Sequence, residues 1–330
     1  VVLDPVADGV QQLGRRQVIT DCRVFLHPGE RLETGVRDAY TLAEDEAVVL
    51  SAIEAFTDAS GAEPVHRQPG DLWLVRGPLE YIPHASVRVV KDKAGAERRK
   101  RIVLAEGEGV YIRNTQTGEI RAQIGGAVML EATEELWEKD LPKVVEEKLQ
   151  QQGESVTQYM EKHSDGKPKR DKTRVVRYAI PHNAVTQVYD YKKRTQRTLF
   201  GPDAVMLGPD EQFTVLSLSG SDWDPKQPTV CFPKKTGKIK ALYMFLGPAT
   251  LSDVLEVETC DHARLQLQLS YDWYFDVQHG NSAQADECFS VPDFVGDCCS
   301  LIASRIRASV AGVSFDDFHK HSSSLVQAAV

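Results

Sequence analysis

The chain has 330 residues, 42% of them hydrophobic and 26% charged; this is the makeup of ordinary folded material and excludes disorder as a general description. That length holds two or three ordinary domains, or several small modules and one larger unit. The formal net charge of −9 argues against nucleic acid as the main partner, because phosphate binding needs a basic face and the global sign here repels.

From the N-terminus, residues 18–26 read as a strand, and Pro28-Gly29-Glu30 returns 41 residues later as Pro69-Gly70-Asp71. Four short stretches are variants of one another: 36–42 (VRDAYTL), 77–83 (GPLEYIP), 124–130 (IGGAVML) and 201–207 (GPDAVML). Aligning them matches Tyr40 with Tyr81, Val128 and Val205 at successive intervals of 41, 47 and 77 residues, the last lengthened by a polar insert around 149–172. Two markers sharing one period mark an internal array, whose units bury their cores by stacking on like neighbours.

The units read as short strands at 72–76, 86–90, 109–113, 120–124, 174–180, 186–191 and 212–218. These are rich in β-branched and aromatic residues and bounded by Gly-Pro, Pro-Gly and Thr-Gly pairs. Asn114-Thr115-Gln116-Thr117-Gly118 predicts a hairpin tip, with Gly118 supplying a positive φ. Within the insert, 134–139 and 143–151 look helical, split by Pro142, and 163–172 reads as a charged loop. The basic clusters 91–101, 192–197 and 234–240 lie beside Asp92, Gly95, Gly118 and Gly237 and read as solvated hairpin tips. Residues 219–240, with their prolines and lysines, read as a variable loop.

After about residue 244 the character changes. Period-two alternation over 263–275 puts Ala263, Leu265, Leu267, Leu269, Tyr271, Trp273 and Phe275 on one face, and Arg264, Gln266, Gln268, Ser270 and Asp272 on the other. Residues 254–258 form the partner strand, with Cys260-Asp261-His262 as the turn. Two helices follow, each opened by a capping box, Ser290-Val291-Pro292-Asp293 and Ser314-Phe315-Asp316-Asp317. The first is expected to bury Phe294, Val295, Cys298, Leu301, Ile302 and Ile306, and the second Phe315, Phe318, Leu325 and Val326. The fold class is therefore mainly β tandem repeats of small antiparallel sheets, followed by an α+β module.

Phosphate-loop, dinucleotide-loop, zincin and nucleophile-elbow motifs are all missing from the sequence. Six cysteines, at 22, 231, 260, 288, 298 and 299, include no CxxC pair and read as buried or semi-buried free thiols in a reducing compartment, the adjacent Cys298 and Cys299 pointing in different directions. Asp316 and His319 share a helix face, yet Asp316 and Asp317 fall in a first turn where the dipole already favours acids. Asp261 and His262 read as turn residues with no nucleophile to serve. Trp73 and Trp273 on strands and Trp137 on a helical stretch read as core, leaving Trp223 as the exposed tryptophan. No catalytic, cofactor or metal residue is assigned. No apolar run reaches membrane-spanning length and no signal pattern opens the chain, so it is expected in the cytosol. It is read as part of something longer, since it opens in strand-like sequence and stops in a helical pattern.

These residues carry a likeness. GDLWLVRGPLEYIP at 70–83, LWEKDLP at 136–142, QVYDY at 187–191, QFTVLSLS at 212–219, DHARLQLQL at 261–269 and SVPDFVGD at 290–297 resemble the major vault protein family, and the likeness runs essentially end to end. It implies a division into a partial repeat at 1–42, repeats at 43–90, 91–172 and 173–243, and a shoulder domain at 244–330, itself similar to the stomatin, prohibitin and flotillin (SPFH) core. The family's earlier repeats and its long cap helix have no counterpart here, and 219–240 departs from its text. The resemblance further implies a shell subunit that stands side by side with many copies of itself in a hollow cytoplasmic ribonucleoprotein barrel, with a minor nuclear fraction. Its implied company is vault RNA, a vault poly(ADP-ribose) polymerase and a telomerase-associated protein, with no direct nucleic-acid binding expected from this segment. The candidate contacts between copies are Arg264 and Gln266 on the polar strand face and Asp297, Arg305, Arg307, Asp316 and Lys320 on the helices, where mixed charge predicts electrostatic, pH-sensitive contacts. The alternatives are a membrane-associated scaffold of the SPFH kind, or an RNA-binding module using 91–101.

Overall fold

The computed structural model describes every residue except 22, 34, 60–63, 94, 152–159, 163–167 and 221–234. Two compact units divide the chain, Val1–Glu138 and Lys139–Val330.

In the first unit the two Pro-Gly-acid turns have one geometry. Glu30 accepts a hydrogen bond from the His27 amide (2.7 Å) and Asp71 from the Gln68 amide (2.8 Å), with Gly29 and Gly70 at φ 95° and 92°, a conformation glycine adopts without strain. Residues 18–26 do not form the expected strand. Val2–Leu3 is already flanked by Arg16–Gln17 and Arg31–Leu32, so neither of its edges is left, and Val24, Phe25 and Leu26 stand exposed.

Next, Glu46–Ala52 is flanked by Leu72–Arg76 on one side and by Val87–Val89 and Arg98–Lys100 on the other. Tyr40–Leu42 pairs with Leu79–Tyr81, setting Tyr40 opposite Tyr81. The same register recurs twice, with Ile102 opposite Val128 in the hairpin of Ile102–Asn114 and Ile120–Val128, and Tyr178 opposite Val205 in the pair Arg177–Ile180 and Asp203–Met206. Tyr81, Val128 and Val205 are therefore equivalent, all buried. Residues 36–42 are not a fourth copy of that stretch. Tyr40 is the partner of Tyr81, and its own equivalents are Ile102 and Tyr178.

The hairpin tip at 114–118 forms as expected. Asn114 Oδ1 accepts from the amides of Gln116 (2.9 Å) and Thr117 (3.1 Å), and Gly118 has φ 73°. Residues 134–139 are not helical. Glu134–Leu136 is a strand on the open side of Ile102–Asn114, because an unpaired ladder edge offers more hydrogen bonds than an isolated helical turn. Trp137 then packs edge-on against Tyr111 at 5.8 Å.

In the second unit, α1 (Lys143–Gln151) follows Pro142 and buries Val145 and Leu149, one turn apart. Part of the expected loop at 163–172 is strand, Pro168–Arg170 pairing with Met160–Lys162; the rest of that segment up to 167 lies outside the described residues. The central strand Ala184–Asp190 is flanked by Thr195–Phe200, Glu211–Phe213 and Met244–Phe245. The expected strand at 212–218 is two strands, and the second, Leu216–Gly220, pairs with Lys235–Ala241. The later part of the supposed variable loop is thus ladder, while 221–234, including Trp223 and Cys231, and likewise Cys22, lie outside the described residues.

Ala249–Glu258 and Arg264–Trp273 then pair antiparallel without slip. Three helices follow, not two: α2 (Ser282–Phe289), α3 (Phe294–Ala311) and α4 (Phe315–Ala329). The extra helix α2 is capped by Asn281 and is short and mostly polar, so it carries little apolar periodicity.

Gly77 and Gly201 occupy one constrained corner in two modules. A Cβ on either would lie under 3.0 Å from the carbonyl oxygen of Ala43 or Pro181, backbone atoms that cannot rotate away. Gly77→Ala and Gly201→Ala are each expected to lower stability by roughly 3 kcal/mol or more, whereas Gly312→Ala, with only a 3.9 Å contact, should change it by under about 1 kcal/mol. Urea unfolding followed by circular dichroism checks all three. A pH test comes from Lys139, which is buried and donates to the Pro209 carbonyl at 2.5 Å. Burial pushes its ammonium down to about 8, below the ordinary value near 10.4. Between these values the folded chain binds fewer protons than the unfolded one, so Lys139 makes stability rise with pH across that window. In Lys139→Met the rise between pH 8 and 9.5 should flatten, as read from urea midpoints.

Candidate assembly surfaces

The C-terminal module is built on a two-stranded sheet with one dry and one wet face. On the dry face Leu255, Val257, Leu265, Leu267 and Leu269 pack against Ala303, Ile306 and Val310 of α3 and Phe318 of α4. The wet face presents Arg264, Gln266, Gln268, Ser270 and Asp272 beside Glu256 and Glu258, all exposed. The alternation expected over 263–275 is present as Arg264–Trp273.

Asp261 in the hairpin turn bonds Thr259 Oγ1 and, with both carboxylate oxygens, accepts the Phe315 amide that opens α4 (3.1 and 3.2 Å). The turn therefore caps a helix from outside its own strand pair. Those bonds, the Thr259 hydroxyl first, hold its carboxyl below the usual range. His262, in the left-handed region at φ 63°, reaches Glu258 at 2.8 Å.

The cap of α3 is Asp293, not Ser290. Asp293 Oδ1 accepts from the Gly296 amide (3.0 Å), while the Ser290 hydroxyl donates back to the Glu287 carbonyl at the end of α2 (2.6 Å). The buried stripe accordingly runs Val295, Cys299, Ala303, Ile306 and Val310, leaving Cys298 and Leu301 exposed. In α4 the expected box is present, the Asp317 amide meeting Ser314 Oγ at 3.3 Å. Phe318 is buried there, but Phe315 is exposed and stacks on His319. Among the described residues no three His, Cys, Asp or Glu side chains gather as a metal-binding group.

All seven residues read as contacts between copies are exposed, and they are distributed over one strand and two helices. Arg264 and Gln266 lie on the wet sheet face, Arg264 beside Glu258 at 3.6 Å. Asp297 is in the first turn of α3, and Asp316 and Lys320 are one turn apart on α4. Arg305 and Arg307 already have acceptors within the chain, the carbonyls of Val330 (3.4 Å) and Glu256 (3.1 Å). An open groove of about 760 Å³ follows strand residues 266–273, with Leu267, Leu269, Ile302, Phe318 and Val326 in its walls.

The basic cluster at 91–101 is largely neutralised in place. Lys91 and Arg37 meet Glu97 (3.4 and 3.7 Å), Lys93 meets Glu135 (2.8 Å), and Arg98 and Lys100 meet Glu46 (3.3 and 3.9 Å). Arg99 turns inward to the carbonyls of Glu131 and Glu134. What recurs in every module is an open sheet. Among the described residues no sheet closes on itself, so each ends on strands with a hydrogen-bonding edge to spare.

Residues 40–84, 101–154 and 175–246 match three descriptions of the major vault protein repeat domain, and 247–330 matches the shoulder domain. Over its whole length the chain is 50% identical to the major vault protein of Danio rerio, covering 38% of that protein. It is 50% identical to that of Strongylocentrotus purpuratus and 47% to that of Homo sapiens, covering 37% and 36% of them. The chain thus spans a little over a third of the length of the curated relatives it matches.

Removing the external cap should loosen α4 through the turn. Because the carboxyl of Asp261 is held low, its contribution is present above the ordinary aspartate value near 4 and fades as pH falls below it. Asp261→Ala is expected to unfold at lower urea than the unaltered chain at pH 7, and the gap between the two midpoints should narrow as pH falls below the ordinary aspartate value.

Proposed function

The chain belongs to the major vault protein family, and on that premise we propose that it is a structural segment of a shell, packing side by side with copies of itself and carrying no catalysis. The observation behind this reading is the run of small sheets, none of which closes on itself among the described residues, so that each ends on edge strands. Such edges either aggregate or are met by a neighbour, and a head-to-tail contact whose rotation closes gives every edge the same partner in a finite ring. The residues in the wet sheet face and on α3 and α4, Arg264, Gln266, Asp297, Arg305, Arg307, Asp316 and Lys320, are the proposed contacts in the C-terminal module. Single exposed pairs contribute about 0–1 kcal/mol each, but a ring repeats every pair once per copy.

In this reading the modules begin at Tyr40, Ile102 and Tyr178, where the same register starts each time, and the C-terminal module is the SPFH-like shoulder. The particle resides in the cytoplasm. Vault RNA, the poly(ADP-ribose) polymerase and the telomerase-associated protein belong to the particle, and the RNA is not bound directly by this segment, whose basic cluster is spent on its own acids. The low density of free cationic groups in 91–101 argues against the RNA-binding alternative.

The test is a chimera in which this chain replaces the matching segment of the Danio rerio protein. Electron microscopy should find closed particles, and Arg305→Glu with Arg307→Glu should reduce the assembled fraction several-fold. A chimera that stays a single copy at micromolar concentration, beside an assembling parent, overturns the proposal.

A further inference from the structure

The second unit holds two half-buried carboxylate joints that none of the contacts above requires. On α2, Asp286 Oδ1 accepts from the Thr198 hydroxyl and from Gln187 Nε2 (2.9 Å). Gln187 is itself held from behind, its Oε1 accepting from the Thr214 hydroxyl at 2.9 Å. Gln187 and Thr198 are 6% and 8% exposed, so this is a polar chain inside a packed seam. The second joint is Asp293, which caps α3 and at the same time accepts from the Ser219 amide (2.7 Å) and hydroxyl (2.6 Å). Around both joints the two elements share one apolar core, with Val185, Leu216 and Met244 from the repeat sheets and Phe289 and Phe294 from the helices.

A hydrophobic seam alone is non-directional and tolerates sliding. Charge-assisted hydrogen bonds are short and directional, and two of them on separate helices fix rotation as well as distance. Asp286 reaches the strands Ala184–Asp190 and Thr195–Phe200, and Asp293 reaches Leu216–Gly220, so three strands of the last repeat are tied to the first two helices of the next module. We infer that Asp286, backed by Asp293, is a positioning residue that sets the direction in which the C-terminal module leaves the last repeat. Resting on the shell reading, this orientation sets the angle at which neighbouring copies meet, and hence the width of the closed particle. Nothing in the seven exposed contacts fixes that angle, because each sits on a surface whose pose depends on this seam.

The experiment separates positioning from general stability. Hydrogen exchange on the 330-residue chain compares the unaltered protein with Asp286→Ala, Asp286→Asn and Thr198→Val. Asp286→Ala should speed exchange at least tenfold in Ser282–Phe289 and Thr195–Phe200 together, while Glu46–Ala52 keeps its protection. Asn retains an oxygen that can accept both bonds, so Asp286→Asn should restore most of it, and Thr198→Val should reproduce a smaller version of the alanine effect. Uniform acceleration over the whole chain, or no change, overturns the positioning role. The same substitutions in the Danio rerio chimera should give particles of altered diameter for alanine and of parental diameter for asparagine. Parental diameter with alanine, despite loosened exchange, overturns the link to particle width. Failure of the unaltered chimera to assemble counts against the shell reading alone, the exchange result still deciding whether Asp286 positions the module.

Discussion

Everything in the repeat region hangs on one strand per module that is buried on both faces. Residues 47–50, 109–112 and 184–188 are each buried without interruption, and each run contains the position seven residues after the residue that opens its module, Tyr40, Ile102 or Tyr178. A strand flanked on both sides and covered above and below reads as a continuous apolar run, not an alternating one. Each fully buried valine, leucine or isoleucine in such a run contributes about 1.5–3 kcal/mol, so a handful of positions supplies most of what holds a small sheet together. In the last repeat the run also contains Thr186 and Gln187, and burying polar groups there is costly unless they find partners. Gln187 does so through Asp286 and Thr214, whereas the buried Thr186 hydroxyl has no hydrogen-bond partner among the described residues. The helices that follow are thereby bound to the repeat sheet by the sheet's own need for satisfaction.

That arrangement explains how much could be read from residues alone. Turn chemistry was legible because it is local: Pro28-Gly29-Glu30, Pro69-Gly70-Asp71 and Asn114 to Gly118 have the geometry their residues imply. The alternation at 264–273 was legible because one face is wet. The phase of the repeat was not, since 36–42 and 77–83 contain the paired strands Tyr40–Leu42 and Leu79–Tyr81, which set tyrosine opposite tyrosine, and likeness of text cannot tell a copy from a partner. The stretch 134–139 has a helical look that a nearby ladder edge overrides. Ser290 and Asp293 are both good caps, and only the contact with Ser219 decides which one starts α3.

The surfaces were legible in sign and exposure but not in their arrangement. Charged positions on amphipathic helices and polar positions on the wet face of a strand must face outward, so all seven candidates are exposed. What a side chain reaches for along the surface depends on backbone carbonyls that a sequence does not display, which is why Arg305 and Arg307 are found on the carbonyls of Val330 and Glu256. The same holds for Arg99, whose neighbours in sequence are solvated while it turns inward.

The register that pairs Tyr40 with Tyr81, Ile102 with Val128 and Tyr178 with Val205 is kept although the chain takes 41 residues to return in the first case and 26 and 27 in the others. Loop closure grows only with the logarithm of length, so the extra residues of the longer return weigh little against the buried strand they enclose. Length change and central packing are therefore separable in this fold: duplication, deletion or a grafted epitope can be absorbed along the return path, while the doubly buried run admits neither an added nor a missing residue, since one slip would turn its whole pattern inside out.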